Sequence, residues 1–94
     1  MVSMIYPYMT LNDDTEFTHS EMKPDGTVIV YVETPNAEDG FHSLVCILPN
    51  YEVKDVIGYS KEEQEAIIKR IKKNAHLMLK YSQTGGFDSD AAIA

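Results

Sequence analysis

The hydrophobic pattern changes period once along this chain, near Ser60. Before it, apolar and β-branched residues come in short runs separated by turn residues; after it they recur at helical spacing. The first run, Met4–Leu11, is apolar and aromatic but is broken by Pro7, which has no amide proton for a ladder and so predicts an edge strand or an extended arm. Thr15–Met22 alternates loosely and carries Thr and Phe, the pattern of a strand facing largely to solvent. Lys23-Pro24-Asp25-Gly26 is a turn signal, with proline presetting φ and glycine accepting positive φ. Thr27–Thr34 is almost wholly β-branched or aromatic and predicts a central strand buried on both faces. Phe41–Leu48 resumes the pattern after the Pro35–Gly40 connection, and Glu52–Tyr59 is a shorter strand with Val53 and Ile57 on one side.

Ser60-Lys61-Glu62-Glu63 is a capping box, in which the serine hydroxyl and Glu63 each satisfy an amide that the first helical turn leaves unpaired. Beyond it, Ile67, Ile68, Ile71, Ala75, Met78 and Leu79 fall within about 120° of one another at 100° per residue, the stripe of a helix laid on a sheet. Glu65, Lys69, Lys72, Lys73, His76 and Lys80 point away. The spacing predicts a helix over Lys61–Ser82. Glu62 and Glu63 at its start and Lys80 near its end suit the macrodipole, and Gly85-Gly86 supplies the stop.

These elements imply an α+β domain of two layers: an antiparallel meander of three to four strands followed by one C-terminal amphipathic helix. The domain is expected to span residues 1–86, with 87–94 as a flexible tail. One helix covers one face of a sheet, yet the central strands are apolar on both. Val28, Val30, Val32, Leu44, Cys46 and Leu48 point one way; Ile29, Tyr31, Phe41, Val45 and Ile47 point the other. Either Met4–Met9 folds over the second face or a second copy covers it, and the expectation is a homodimer.

Composition narrows the class. At 94 residues and 44% apolar content, one domain with a modest core is expected. No run approaches a membrane span, and the N-terminus lacks a basic segment followed by a long apolar one, so a cytoplasmic location is expected. A single cysteine, Cys46, excludes an intrachain disulfide. The net charge of −7 is uneven: residues 1–59 hold ten acids against two bases, whereas residues 60–82 hold six bases against three acids. The pattern is an acidic sheet bearing a basic helix.

The basic stretch is the leading candidate site. Lys69, Arg70, Lys72, Lys73 and Lys80 suit an acidic protein partner or the phosphates of a nucleic acid, and the overall negative charge favours the protein. His19 with Glu21, or with His42 across the sheet, lacks a third ligand fixed by spacing, so no metal is expected. Asp13, Asp14 and Glu16 lack the order of a calcium loop. Cys46 lies in an apolar run that makes it a core residue and not a nucleophile. With no phosphate loop or nucleophile elbow, no catalytic residue or cofactor is expected. A composite enzyme site around His19, His42 and Glu21 at a dimer interface is the remaining enzymatic reading.

Gly58-Tyr59-Ser60-Lys61-Glu62-Glu63 and the following Ala/Ile-rich helix, after antiparallel strands, resemble the last helix of a double-stranded-RNA-binding domain and of antitoxins built on that scaffold. That likeness implies nucleic-acid binding, although the family's paired lysines at the helix start are replaced here by Lys61 followed by two glutamates. Tyr6-Pro7-Tyr8-Met9-Thr10-Leu11, the strand from Gly40-Phe41 to Leu48-Pro49, and Asn74-Ala75-His76-Leu77 resemble a small uncharacterised bacterial family found in Firmicutes and their mobile elements. That resemblance implies a bacterial cytoplasmic protein and no mechanism. The expected role is a small non-enzymatic interaction or regulatory protein.

Overall fold

The computed structural model describes residues 5–38 and 40–84. Five strands, β1 (Ile5–Thr10), β2 (Glu16–Ser20), β3 (Val28–Asn36), β4 (Gly40–Leu48) and β5 (Glu52–Ile57), precede one helix, α1 (Lys61–Thr84). The strands form a single antiparallel sheet in sequence order. The architecture is α+β as expected, but the meander has five strands and not three to four. Both outer segments pair despite their interruptions, β1 by a register shift between Pro7 and Met9 and β5 by one opposite Ser43–Val45.

β3 is the middle strand, and its ladder with β4 is unbroken from Val28 opposite Leu48 to Asn36 opposite Gly40. The Lys23–Gly26 turn closes as its residues dictate: the Gly26 amide donates to the Lys23 carbonyl at 2.8 Å, with Gly26 at φ 85°. Asp25 Oδ1 accepts from the Thr27 amide and hydroxyl at 3.0 and 2.6 Å.

The helix covers the face that carries Val28, Val30, Val32, Leu44, Cys46 and Leu48, all buried against Ile71, Ala75 and Met78. Ile67, Ile68 and Leu79 lie half-buried at the margins of this core. Burying a side chain such as Ile71 or Met78 contributes about 1.5–3 kcal/mol. The capping box forms in full: the Ser60 amide donates to Glu63 Oε1 at 2.8 Å and the Glu63 amide to Ser60 Oγ at 3.1 Å. The Ser60 amide, and after it the Ser60 hydroxyl, hold the Glu63 carboxyl below its usual range.

Ile5–Thr10 pairs with β2 as the edge strand that Pro7 predicts, so the alternative in which this segment folds over the open face falls. Three expectations need correction. β2 is not solvent-facing: it lies second in the sheet, and Phe17, His19 and Ser20 are fully buried. Val53 and Ile57 occupy opposite faces, since Val53 pairs with Cys46 and Ile57 with Ser43 across the bulge. The helix runs two residues past Ser82, and its last turn holds no basic side chain. Gly85-Gly86 and the tail 87–94 lie outside the described residues.

Candidate functional site

The sheet's second face is apolar at its centre. Thr18, Tyr31, Val45 and Lys54 form one cross-strand row, and Ile29, Ile47 and Glu52 the next. Ile29, Tyr31, Val45 and Ile47 are half-buried. Phe41, paired with Pro35 at the far end of β3–β4, is 57% exposed. Ile57 on β5 and Ile5 on β1 extend this face at 60% and 53% exposure. The sequence pattern overlooked both: the β5 bulge reverses Ile57, and Ile5 belongs to a segment that reads equally as an arm.

The rim of this face is polar. Glu16 and Glu33 are register partners at one end, while Glu52 and Lys54 form a salt bridge of 3.1 Å at the other. Among the described residues no element lies over the apolar centre. Five strands about 4.8 Å apart and up to nine residues long give a face of roughly 700 Å². That is close to the ~800 Å² each partner buries in a standard protein interface.

The basic helix residues Lys69, Arg70, Lys72, Lys73 and Lys80 are all exposed, but the structure divides them. Lys69 and Lys72 join Lys61, Gln64, Glu65, Ile68 and Val53 around a groove of about 400 Å³ beside β5. The Lys72 ammonium sits 5.3 Å from the centre of the Tyr51 ring. Arg70 faces the opposite flank, where it lines a cleft of about 220 Å³ with Asp13, Thr15, Thr34, Tyr59 and Glu63.

That second cleft contains a chain of hydroxyls. The Tyr59 hydroxyl lies 2.7 Å from Thr34 Oγ1, which lies 2.7 Å from Thr15 Oγ1. Thr15 hydrogen-bonds Asp13 through its side chain and through its amide at 3.1 Å, and these bonds hold the Asp13 carboxyl below its ordinary value. Burial pushes the Tyr59 hydroxyl up. The chain ties the β1–β2 loop and β3 to the residue preceding the helix cap, and each of its members is engaged within the fold.

His19 and His42 lie at opposite ends of the helix. His19 contacts Ser82 in the last turns, whereas His42 stacks edge-on against Tyr59 just before the first, with ring centroids 5.6 Å apart. Glu21 is exposed beyond β2. The three side chains proposed for a composite site therefore do not converge within one chain. Among the described residues no group of three His, Cys, Asp or Glu side chains could hold a metal ion.

His19 is fully buried between Tyr6 and Tyr8, with ring centroids 5.7 and 6.3 Å away. Its Nδ1 lies 2.8 Å from the Ser20 carbonyl, which only accepts, so the ring proton is assigned to Nδ1. Ser82 Oγ lies 2.9 Å from the same nitrogen and 2.6 Å from the Met78 carbonyl. With the Met22 amide donating to the Ser82 carbonyl at 3.1 Å, this cluster fastens the end of α1 to β2. Among the described residues Nε2 has no partner, and a buried polar atom in that state costs about 1–3 kcal/mol. Cys46 is fully buried in the centre of the sheet, and burial pushes its thiol up to about 11.

No helix among the described residues is long and apolar enough to cross a membrane. No protein-family model, curated protein or solved structure matches this chain. The surfaces described above therefore stand as the basis for any functional reading.

Proposed function

We propose that this chain is a small non-enzymatic interaction protein that works as a homodimer through its open sheet face. The observation that carries the reading is the uncovered apolar centre formed by Ile29, Tyr31, Phe41, Val45 and Ile47, with β1 held in the sheet plane and unable to cover it. Exposed contiguous apolar patches on monomers seldom exceed a few hundred Å² and often mark interaction sites; this one lies within a sheet face of at most roughly 700 Å². A two-fold axis places the same patch on both partners. Two sheets stacked about 10 Å apart then build a shared core. Glu16, Glu33 and the Glu52–Lys54 pair remain at the wet rim, and the basic helices face outward for a further partner.

Light scattering coupled to gel filtration tests this. The expected mass is twice the 10.6 kDa of one chain. Val45→Lys should reduce the mass to that of one chain while leaving the circular dichroism spectrum intact, because Val45 stands outside the helix-covered core. A wild-type mass of one chain at tens of micromolar overturns the dimer.

A further inference from the structure

The groove between β5 and the first half of α1 combines three features that no contact within the fold requires. β5 is an edge strand, so among the described residues one side of its backbone has no ladder partner. Val53, on the helix-facing side, and Val56, in the bulge, are each 37% exposed, although such side chains are usually covered beside a helix. Beside Val53, the side chains of Lys61, Gln64, Glu65, Ile68, Lys69 and Lys72 form a continuous stripe along α1 that lines the groove. Lys61, Lys69 and Lys72 form no salt bridge among the described residues, and a single acid, Glu65, lies among them. The groove thus lies between the basic stripe of the helix and β5, the strand beside which a sixth would run about 4.8 Å away.

We propose that this groove takes an extended acidic segment of a partner protein, added along Glu52–Lys54 as a short sixth strand. An extended chain joining a sheet edge draws affinity from main-chain hydrogen bonds, and the groove reads every second side chain. Here the inward side chain meets Val53 and Ile68, which favours an apolar residue. The side chains two residues to either side of it share that face and meet Lys61, Lys69 and Lys72, which favours carboxylates. The bulge at Asp55, with its φ of 52°, ends the regular part of β5 after Lys54. It therefore blunts edge-to-edge pairing of two β5 strands, a common use of bulges, and leaves intact the half of β5 that borders the lysines. The inference rests on reading the chain as an interaction protein, and not on the sheet-face dimer.

A synthetic peptide of about eight residues, with glutamate and valine taking turns at every second position and serine between them, long enough to span a strand, is the probe, titrated into the full chain and followed by amide chemical shifts. The expected result is saturable binding with shifts concentrated at Val53, Val56 and Ile68. Affinity should fall about tenfold between low and physiological salt, as exposed charge pairs are screened. It should fall about tenfold again in Lys61→Glu/Lys69→Glu, whose exposed positions leave the core untouched. A version of the peptide N-methylated on its ladder-forming amides should not bind.

No shift at millimolar peptide overturns the proposal, as does equal binding of the N-methylated peptide or of the same peptide with lysine in place of glutamate. Displacement of the peptide by a short single-stranded oligonucleotide of higher affinity overturns it in favour of nucleic acid. Self-association abolished by Val53→Lys but not by Val45→Lys overturns it in favour of a second copy. Peptide binding by a monomer refutes the dimer alone; a dimer that ignores the peptide refutes the groove alone.

Discussion

Gly58 sets how the helix leaves the sheet, and replacing it with alanine tests that geometry. Its φ is 84°, in the left-handed region, and a β-carbon there would stand 2.6 Å from Cγ and 2.8 Å from Nε2 of His42, and closer still to Cδ2. Two costs add. A non-glycine residue in this region loses about 1–2 kcal/mol, and forcing a methyl group into a filled position costs about 1–3 kcal/mol. The His42 ring is held edge-on by Tyr59, whose hydroxyl is fixed in turn by Thr34, so it yields only by breaking that contact. Gly58→Ala should therefore destabilise by about 3 kcal/mol in urea denaturation.

The same substitution made in His42→Ala should cost only the backbone term, about 1 kcal/mol, because the overlapping ring is gone. A double-mutant cycle isolates this coupling, expected at about 2 kcal/mol. A cost below about 0.5 kcal/mol in the wild-type background, or the same cost in both backgrounds, refutes the assignment of His42 as the obstacle.

Cys46 should resist alkylation in the folded protein and react at once in denaturant, measured with a chromogenic disulfide. Its folded value of about 11 exceeds the value of about 8.5 for a free thiol, so the unfolded chain releases this proton first. The resulting stability is full below about pH 8.5 and is lost as pH rises toward 11, which a series of urea midpoints would show; a flat series from pH 8 to 10.5 contradicts the burial. Ser60→Ala removes the acceptor for the Glu63 amide and should cost about 1 kcal/mol. In that variant the Ser60 amide, the larger cause, stays, and the Glu63 carboxyl should move part of the way toward its ordinary value, which NMR can follow; an unmoved titration would mean the hydroxyl takes no part in holding it.

Much of the local structure was legible in residue order. Ser60 and Glu63 announced the helix start because a capping box is satisfied by residues three apart, and Lys23–Gly26 announced a turn because proline and glycine limit φ directly. The alternation of Val28, Val30 and Val32 with Ile29 and Tyr31 separated the two sheet faces, and Ile71, Ala75 and Met78 identified the helix stripe that covers one of them. The open apolar face was predicted from the same alternation, since one helix cannot cover both sides.

What residue order left open was settled by contacts between distant segments. Thr15–Met22 reads as a polar strand, but once β1 pairs outside it, β2 becomes an interior strand and His19 is enclosed by Tyr6, Tyr8 and Ser82. Periodicity placed Val53 and Ile57 together until the bulge at Asp55 added a residue and reversed Ile57. Lys69, Lys72 and Arg70 share one basic stretch of helix, yet the sheet edge and the β1–β2 loop divide them between two clefts. Periodicity, caps and turns depend on neighbours within a few positions, so the sequence alone determined the elements and their two-faced character. Strand order, bulge position and the placing of the helix on the sheet depend on which distant surfaces meet, so only the tertiary structure decided which side chains share a site.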